Sequence, residues 1–250
     1  MVARRVLDST LDDSAHSTIV CLCFTIATMS RLPFITFEGS EGCGKSTQIQ
    51  RLAERLEQSG VPLLITREPG GTPIGETIKD LLQFAPHGSG MTPETELLLF
   101  EASRSQLVRE TIRPALQRGV CVISDRFFDS TTVYQGVARK LDARVVEQLN
   151  AFAVGDCVPD VTFLLEVDVA TARARMLRRV RPAMSPDRME QEPTEFYEQV
   201  CAAYRDLAKK ESNRIILIDG TQTPETIADQ IWQTISMRFP ELALKKTSAI

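Results

Sequence analysis

The stretch "GSEGCGKST", residues 39–47, constrains the fold of this chain more than any other feature. It matches the pattern G-x-x-x-x-G-K-[ST], in which backbone N–H groups turn inward and form a concave anion site. Such a loop joins a strand to a helix, so that the bound phosphate lies at the helix N-terminus. The apolar run "LPFITF" precedes the loop, and a stretch with helical periodicity follows it. The sequence therefore predicts a strand–loop–helix unit that holds phosphate groups.

The side chains of this loop supply a cation, a metal ligand and one unexpected acid. Lys45 places a positive charge where the outer phosphates of a nucleotide lie, and the Ser46 hydroxyl is suited to Mg²⁺. Glu41 is unexpected because a carboxylate repels the phosphate groups that such a loop holds. Phosphate contacts are predicted for the whole loop, which consists of Gly39, Ser40, Glu41, Gly42, Cys43, Gly44, Lys45, Ser46 and Thr47.

Five short apolar runs divide the rest of the chain. They are continuous rather than alternating, as expected for parallel strands that are covered on both faces. They lie at 32–37, 62–66, 120–124, 161–167 and 214–219. Segments with helical periodicity separate them, at 45–59, 94–118, 142–153, 169–180, 194–210 and 224–237. This alternation predicts an α/β fold with a mostly parallel sheet, in one domain over 29–250.

The composition is that of an ordinary globular domain. Of 250 residues, 43% are apolar and 25% are charged, and the formal net charge of -4 argues against a protein that coats nucleic acid. The six cysteines include no C-x-x-C pair and are typical of the core of a reduced, cytoplasmic protein.

Residues 1–28 differ in texture from the rest of the chain. Acidic residues separate two early arginines from a late apolar run, and that run is too short to span a bilayer. We expect this segment to be a disordered extension or a non-native start, and a targeting segment is the alternative. No membrane association is predicted.

The stretch "TREPGGT", 66–72, follows the second apolar run. Ligands of open α/β sheets bind beyond the carboxyl ends of the strands, so Arg67 is placed to hold a second anion with its planar guanidinium. An exposed arginine in a turn is the alternative interpretation. Because the chain turns sharply here and an X–Pro bond needs only about 0.5–1 kcal/mol to become cis, we expect Glu68–Pro69 to be cis.

The stretch "SDRFFDSTTVYQG", 124–136, follows the third apolar run. Asp125 is suited to hold Mg²⁺ or one of its waters, and Arg126 is suited to stabilise a phosphoryl group during transfer. An ion pair of Asp125 that only ends the strand is the alternative. Further polar side chains, some of which are expected to cap the next helix, are Ser130, Thr131, Tyr134 and Gln135.

Phe100 and Arg104 lie four residues apart in "LLLFEASRSQ" and therefore share a helix face. An aromatic plane and a guanidinium together are suited to stack a base and bond its edge. A core phenylalanine beside an exposed arginine is the commoner meaning of such a pair.

Arginines are concentrated in one helix–loop region, at 173, 175, 178, 179, 181 and 188. Their charges repel one another unless an anion arrives, and three prolines interrupt the helical pattern. The region predicts a short mobile lid, over about 175–190, that closes over phosphate. A solvated basic face is the alternative.

In their order and spacing, "FEGSEGCGKST", "TREPGGT", "LLLFEASRSQ", "SDRFFDSTTVYQG" and "SPDRMEQE" resemble the thymidylate kinase family of nucleoside-monophosphate kinases, over roughly 32–239. The resemblance implies the three-layer P-loop NTPase fold, with a five-stranded parallel sheet flanked by helices. It also implies transfer of the γ-phosphoryl group of Mg·ATP to dTMP, giving dTDP and ADP for dTTP synthesis, by a homodimer.

The same resemblance implies the roles of single residues. The loop 39–47 would hold ATP, and Ser46 and Asp125 would hold Mg²⁺. Catalytic residues would be Lys45, Asp125 and Arg126, together with Arg178 and Arg188 of the lid, because the loop itself has no arginine. Arg175, Arg179 and Arg181 are the alternatives for the lid arginine. The dTMP site would consist of Glu41 on the 3′-hydroxyl, Arg67 on the phosphate, Phe100 and Arg104 on the base, Arg126 between the phosphates, and Ser130, Thr131, Tyr134 and Gln135 around base and sugar.

The sequence leaves other functions open. A deoxynucleoside kinase shares the loop but takes an acceptor without phosphate, against which Arg67 argues. Another nucleoside-monophosphate kinase is a further alternative. A regulatory GTPase lacks support because there is no N-K-x-D motif, and an inactive scaffold is disfavoured because the expected motif residues are present.

Overall fold

Five strands form one parallel sheet in this computed structural model, which describes residues 31–84, 90–178, 188–189 and 191–243. The strands are β1 (Phe34–Glu38), β2 (Leu63–Arg67), β3 (Cys121–Asp125), β4 (Val161–Glu166) and β5 (Ile215–Asp219). Their order is β2-β3-β1-β4-β5, and every neighbouring pair is parallel. The predicted α/β fold and its five strands are confirmed.

Helices connect the strands and cover the sheet. They are α1 (Lys45–Gln58), α2 (Pro73–Phe84), α3 (Pro93–Leu107), α4 (Arg113–Gln117), α5 (Phe128–Thr131), α6 (Ala143–Val154), α7 (Val169–Arg178), α8 (Thr194–Lys210), α9 (Pro224–Arg238) and α10 (Pro240–Ala243). Two π-helical segments lie at Val108–Ile112 and Thr132–Ala138. In the described part of the chain, no helix combines the length and the apolar character needed to cross a membrane.

Two helical features differ from the sequence prediction. The stretch 94–118 was predicted as one helix, but a π-helical segment at Val108–Ile112 interrupts it just before Pro114. Proline has no N–H for the preceding turn, and its ring crowds that turn, so the helix widens there. Helix α2 was not predicted, because its Pro73 and Gly75 conceal the helical pattern. Pro73 is favourable at the first helical position.

The stretch "TPET" occurs twice, at 92–95 and 223–226, and begins a helix each time. Thr92 accepts a hydrogen bond from the backbone N–H of Thr95 at 3.3 Å, and Thr223 accepts one from that of Thr226 at 3.2 Å. A threonine cap followed by proline satisfies a free N–H and sets the first helical φ angle, which fixes where α3 and α9 begin.

The centre of the sheet is buried on both faces, but its edges are not. Phe37 of β1 and Phe163 of β4 pack at 5.4 Å between ring centroids, and Phe34 packs against Phe127 at 4.9 Å. On the edge strands, Ile65 of β2 is 49% exposed and Leu217 of β5 is 47% exposed. The expectation that all five strands are covered is therefore wrong for β2 and β5, since each has a sheet neighbour on one side only.

The register brings three strand ends together at one edge of the sheet. Asp125 at the end of β3 pairs with Phe37 of β1 on one side and with Arg67 of β2 on the other. The loop 39–47 leaves β1 at this same edge. The ends of β1, β2 and β3 thus gather the residues of three separate motifs.

Two predictions fall partly or wholly on residues that the structure does not describe. The extension 1–28 lies outside the described residues. In the predicted lid, 179–187 and Glu190 also lie outside them, including Arg179 and Arg181.

Candidate active site

Glycines give the phosphate loop its conformation. Gly39, Gly42 and Gly44 have φ angles of +130°, +80° and +108°, which side chains of L-residues disfavour. A Cβ atom on Gly39 would lie 2.3 Å from the carbonyl oxygen of Leu165, and one on Gly42 would lie 2.5 Å from that of Ala172. The loop is therefore packed against the backbone behind it and opens toward the N-terminus of α1, as the pattern predicts for an anion site.

Lys45 lies inside the loop rather than in solvent. The side chain is on a residue only 6% exposed, and its Nζ donates to the carbonyl oxygens of Gly39 at 3.2 Å and Ser40 at 3.1 Å. Burial works against its charge, but the negative groups around it raise its pKa overall, so the lysine remains a cation. The ammonium group is thus positioned in advance for phosphate oxygens.

Ser46 and Asp125 bring a hydroxyl and a carboxylate together at the start of α1. The Ser46 Oγ donates to the Asp125 Oδ2 at 3.4 Å, so the two predicted Mg²⁺ ligands are neighbours. Mg²⁺ usually takes one or two protein oxygens and completes its shell with water and phosphate. Among the described residues, no group of three or more His, Cys, Asp or Glu side chains could hold a metal. These two residues fit an Mg²⁺ ion that arrives with a nucleotide.

Arg126 is held in an unusual backbone conformation. Its φ angle is +69°, although it is not a glycine, and its backbone N–H donates to the carbonyl oxygen of Phe37 at 2.9 Å. The guanidinium pairs with Glu41 at 3.1 Å, donates to Ser130 Oγ at 3.1 Å and lies over the ring of Tyr134. Left-handed backbone costs a non-glycine residue about 1–2 kcal/mol, so the surrounding contacts must hold it.

Glu38, to which no sequence motif assigned a role, supplies those contacts. Its carboxylate accepts from the backbone N–H of Phe127 at 2.8 Å, from Ser130 Oγ at 2.7 Å and from Tyr204 Oη at 2.7 Å. Burial raises the pKa of Glu38, and the negative charge of Asp129 raises it further. Glu38 therefore ties the turn that carries Arg126 to the end of β1. The sequence signal was an acid at the end of an apolar run.

The ion pair with Arg126 explains the acid in the phosphate loop. Glu41 is about one-third exposed at its side chain and lies 3.1 Å from the Arg126 Nη2 atom. A nearby guanidinium offsets the repulsion between a carboxylate and phosphate. Glu41 also lines the cleft beside the loop, where an acceptor is expected.

The cleft beside the loop brings most of the predicted residues together. From the loop and β3 come Glu41, Lys45, Ser46, Asp125 and Arg126. From β2, α3 and the segment after β3 come Arg67, Phe100, Ser130, Thr131, Tyr134 and Gln135. The rest of the wall includes residues that were not predicted, Glu68, Lys79, Gln83, Met189 and Tyr197 among them.

Arg67 is oriented by Glu76 of α2. The two side chains form a bidentate pair at 2.8 and 3.0 Å, and Glu76 also accepts from the backbone N–H of Gly71 at 2.7 Å. The hydrogen bonds from Arg67 lower the pKa of Glu76 to about 2. Gly70 has a φ angle of +120°, which favours glycine, and a Cβ atom there would lie 2.5 Å from Glu76 Oε1 and displace that carboxylate. The predicted cis peptide bond at Glu68–Pro69 is confirmed.

Arg104 lies behind the cleft wall and is 1% exposed. All five of its N–H groups have protein acceptors, namely Glu68, Glu101, Asn150 and Thr131. Burial raises the pKa of Glu68 to about 7, although the charge of Arg104 opposes that change. The alternative of an exposed arginine is wrong. A bond from Arg104 to a base stays a prediction, and it requires one of these N–H groups to be shared.

The three arginines of the predicted lid that the structure describes have different surroundings. Arg175 Nη1 donates to the carbonyl oxygen of Gly220 at 2.9 Å, and Arg178 is exposed at the end of α7. Arg188 is anchored elsewhere: its Nε donates to the carbonyl oxygen of Leu82 at 3.0 Å, and its Nη2 pairs with Glu96 at 2.5 Å. Catalytic roles for Arg178 and Arg188 stay predictions, and the structure engages Arg188 with protein groups.

A phosphate loop at the end of β1 and two arginines at the ends of β2 and β3 share one cleft, which defines a nucleotide phosphotransferase of the P-loop type. A family model described as thymidylate kinase matches residues 37–231. The chain belongs to the thymidylate kinase family.

Individual relatives agree with the family model. The chain is 46% identical over 203 residues to the thymidylate kinase of Thermomicrobium roseum. This match covers 81% of this chain and 94% of the relative. It is 44% identical over 209 residues to that of Geobacter sulfurreducens, with 83% and 98% covered. The crystal structure of thymidylate kinase from Ehrlichia chaffeensis superposes with a TM-score of 0.66 at 35% identity, covering 83% of this chain and 100% of the other.

Proposed function

We propose that this protein transfers the γ-phosphoryl group of ATP to dTMP, giving ADP and dTDP for dTTP synthesis. The observation that carries the proposal is one cleft lined by the Lys45 loop and by Arg67, with Arg126 also in its wall. The loop is suited to a nucleoside triphosphate and Arg67 to the phosphate of an acceptor.

In the proposed reaction, an oxygen of the dTMP phosphate attacks the γ-phosphorus of ATP. The new P–O bond forms as the bond from the γ-phosphorus to the β,γ-bridging oxygen breaks, and ADP leaves with that oxygen. The attacking phosphate is already ionised, so no general base is needed. Lys45 and Arg126 stabilise the charge that spreads over the transferred group, and no covalent enzyme intermediate forms.

Ser46 and Asp125 are proposed as the protein ligands of Mg²⁺, directly or through water. Their 3.4 Å contact places a hydroxyl and a carboxylate next to the loop that would hold the triphosphate. When bound with the nucleotide, the ion neutralises phosphate charge and orients the phosphate chain.

A coupled assay for ADP release tests the proposed function. With Mg·ATP, we expect turnover with dTMP and none with thymidine, because Arg67 needs a phosphate. Preference for thymidine would indicate a deoxynucleoside kinase, and GTP hydrolysis without an acceptor would indicate a GTPase. The absence of dTMP-stimulated ADP release would overturn the proposal.

Glu41→Gln is expected to weaken the acceptor site and spare the donor site. Glu41 pairs with Arg126 and lines the cleft, where it is proposed to accept from the 3′-hydroxyl of dTMP. Losing a charged hydrogen bond of about 1.5–3 kcal/mol should raise the KM for dTMP roughly tenfold or more, with the KM for ATP within about twofold. Steady-state kinetics measure both constants.

The control for this variant is Glu57→Gln, which removes the same charge from the exposed side of α1. It should leave both KM values unchanged. An equal rise in the two constants for Glu41→Gln would contradict the assignment and would indicate a structural or metal-linked role.

We also propose that the protein forms a homodimer through α2 and α3. These helices pack against each other and leave Ile74, Leu81, Phe84 and Leu98 exposed. Ile74 and Leu81 lie seven residues apart, and Phe84 lies three further on, so they form an apolar stripe on α2. Exposed stripes of this kind are typical of interaction surfaces.

Sedimentation velocity tests the dimer. The wild-type protein is expected to sediment as two chains, and Leu81→Glu is expected to shift it to one chain because a carboxylate would be buried at the contact. Leu177→Glu, on an exposed leucine of α7, is the control and should stay dimeric. A monomeric wild-type protein would refute the proposal.

A further inference from the structure

Glu96 gathers the donors of three other side chains next to Gln135, which lines the cleft beside the loop. It lies in the first turn of α3 and is 1% exposed. Its carboxylate accepts from Gln135 Nε2 at 2.6 Å and from Arg139 Nε and Nη2 at 3.2 Å each, and it pairs with Arg188 Nη2 at 2.5 Å. None of the sequence motifs assigned a role to this acid.

The contact with Gln135 has a chemical consequence for the cleft. An ionised carboxylate has only acceptors, so the amide of Gln135 must turn its nitrogen toward Glu96. Gln135 is 1% exposed and lines the cleft, and with one N–H bonded to Glu96 its amide oxygen is the acceptor that it can offer to a ligand, beside its second N–H. Turning the amide over would bring two buried acceptors together, which costs about 1–3 kcal/mol or more.

The charge of Glu96 is secured by its surroundings. Burial alone would raise its pKa, but the hydrogen bonds from Arg139 and Gln135 and the charges of Arg139 and Arg188 lower it overall. The carboxylate is therefore ionised at neutral pH and cannot act as a donor to the amide oxygen of Gln135.

An amide oxygen in this position distinguishes between pyrimidines. The N3 atom of a 2,4-dioxopyrimidine carries a hydrogen and donates, whereas N3 of cytosine is an acceptor. Resting on the proposed function, we propose that Glu96 determines specificity by locking the amide of Gln135 with its oxygen toward the base, so that the site favours thymine and uracil over cytosine. Glu96 acts as a positioning residue and does not itself contact the substrate.

The same ion cluster provides a matched control. Glu192 accepts from Arg139 Nη2 at 2.5 Å, so Glu96 and Glu192 share this arginine as a partner. Among the contacts of the described residues, Glu192 has none with Gln135. Glu96→Gln and Glu192→Gln each remove one carboxylate from Arg139, but only Glu96→Gln introduces a donor that can bond the oxygen of Gln135 and let its amide turn.

The experiment compares kcat/KM for dTMP, dUMP and dCMP in the wild type and the two variants. In Glu96→Gln, the ratio for dTMP over dCMP is expected to fall about tenfold, the value of one hydrogen bond. The ratio for dTMP over dUMP should stay constant, because both bases carry N3–H. Glu192→Gln should keep both ratios.

Two outcomes would overturn the inference: an unchanged dTMP over dCMP ratio in Glu96→Gln, or an equal fall in Glu192→Gln. If Glu96→Gln does not fold, Gln135→Met removes the amide and retains the ion cluster. It should lower the same ratio about tenfold, and an unchanged ratio would again overturn the inference.

Binding measurements separate this inference from the proposed function. Calorimetric titration gives the dissociation constants for dTMP and dCMP, and their ratio measures the same selectivity without turnover. Selective binding of dTMP that is lost in Glu96→Gln, in a protein without kinase activity, would refute the function and support the role of Glu96. Full kinase activity of the wild type with an unchanged ratio in Glu96→Gln would support the proposed function and refute the role of Glu96.

Discussion

Arg126→Ala is expected to lower kcat about 10³-fold, since an arginine that stabilises the transferred phosphoryl group is worth that much or more in related chemistry. Arg126 is the charged group that the structure holds against Glu41, Ser130 and the ring of Tyr134 in the wall of the cleft. Arg126→Lys should recover part of the rate, because a lysine keeps the charge and loses the planar fork. Single-turnover kinetics with saturating ATP and dTMP measure the effect on the chemical step.

Arg126→Gly is the matched control for stability. It removes the same guanidinium as the alanine variant, but glycine adopts a φ of +69° without strain. We expect equal losses in kcat, with the glycine variant more stable to unfolding by about 1 kcal/mol. A rate that followed stability across the two variants, rather than the loss of the guanidinium, would contradict a catalytic role.

Lys45→Met is expected to lower kcat about 10²–10³-fold, the loss typical for removing one group that stabilises transition-state charge. Methionine keeps the length of the side chain and removes its charge. Since the ammonium group stabilises the transferred phosphate chiefly in the transition state, the KM for dTMP should change little. Coupled steady-state assays over a range of ATP and dTMP concentrations measure these constants.

The structure also predicts that Lys45→Met lowers the stability of the protein. Lys45 donates to the carbonyl oxygens of Gly39 and Ser40, and its loss leaves those acceptors in a buried loop. A reduction of about 1–3 kcal/mol in the free energy of unfolding is therefore expected, and assays should be run well below the unfolding midpoint. Lys209→Met, on an exposed lysine of α8, is the control and should match the wild type in rate and stability. A Lys45→Met enzyme with wild-type kcat would show that the loop is not the donor site.

Local patterns were sufficient for much of the fold. Continuous apolar runs predicted the five strands, because a parallel strand buried in a sheet needs apolar residues on both faces. The same reasoning failed at Ile65 and Leu217, where the run is equally apolar but the strand lies at an edge. Helix α2 was missed because Pro73 and Gly75 interrupt the pattern that marks a helix.

Local patterns also identified one residue of most pairs that contact each other in the cleft. The loop glycines, Lys45, Arg67 and Arg126 follow from motifs of a few residues. Their carboxylate partners did not: Glu38 and Glu76 hold the turns that carry Arg126 and Arg67, and neither was assigned a role from the sequence, although Glu38 stands within "FEGSEGCGKST".

The sequence by itself determined the class of fold, the phosphate loop and the strand ends that carry its polar residues, because each depends on neighbours along the chain. Only the tertiary structure decided the state of those side chains. It buried Lys45 within its loop, engaged every donor of Arg104 and turned the amide of Gln135 toward Glu96. Hydrogen-bond direction and burial depend on which residues meet across the fold, and Glu96 and Gln135 are 39 positions apart in the chain.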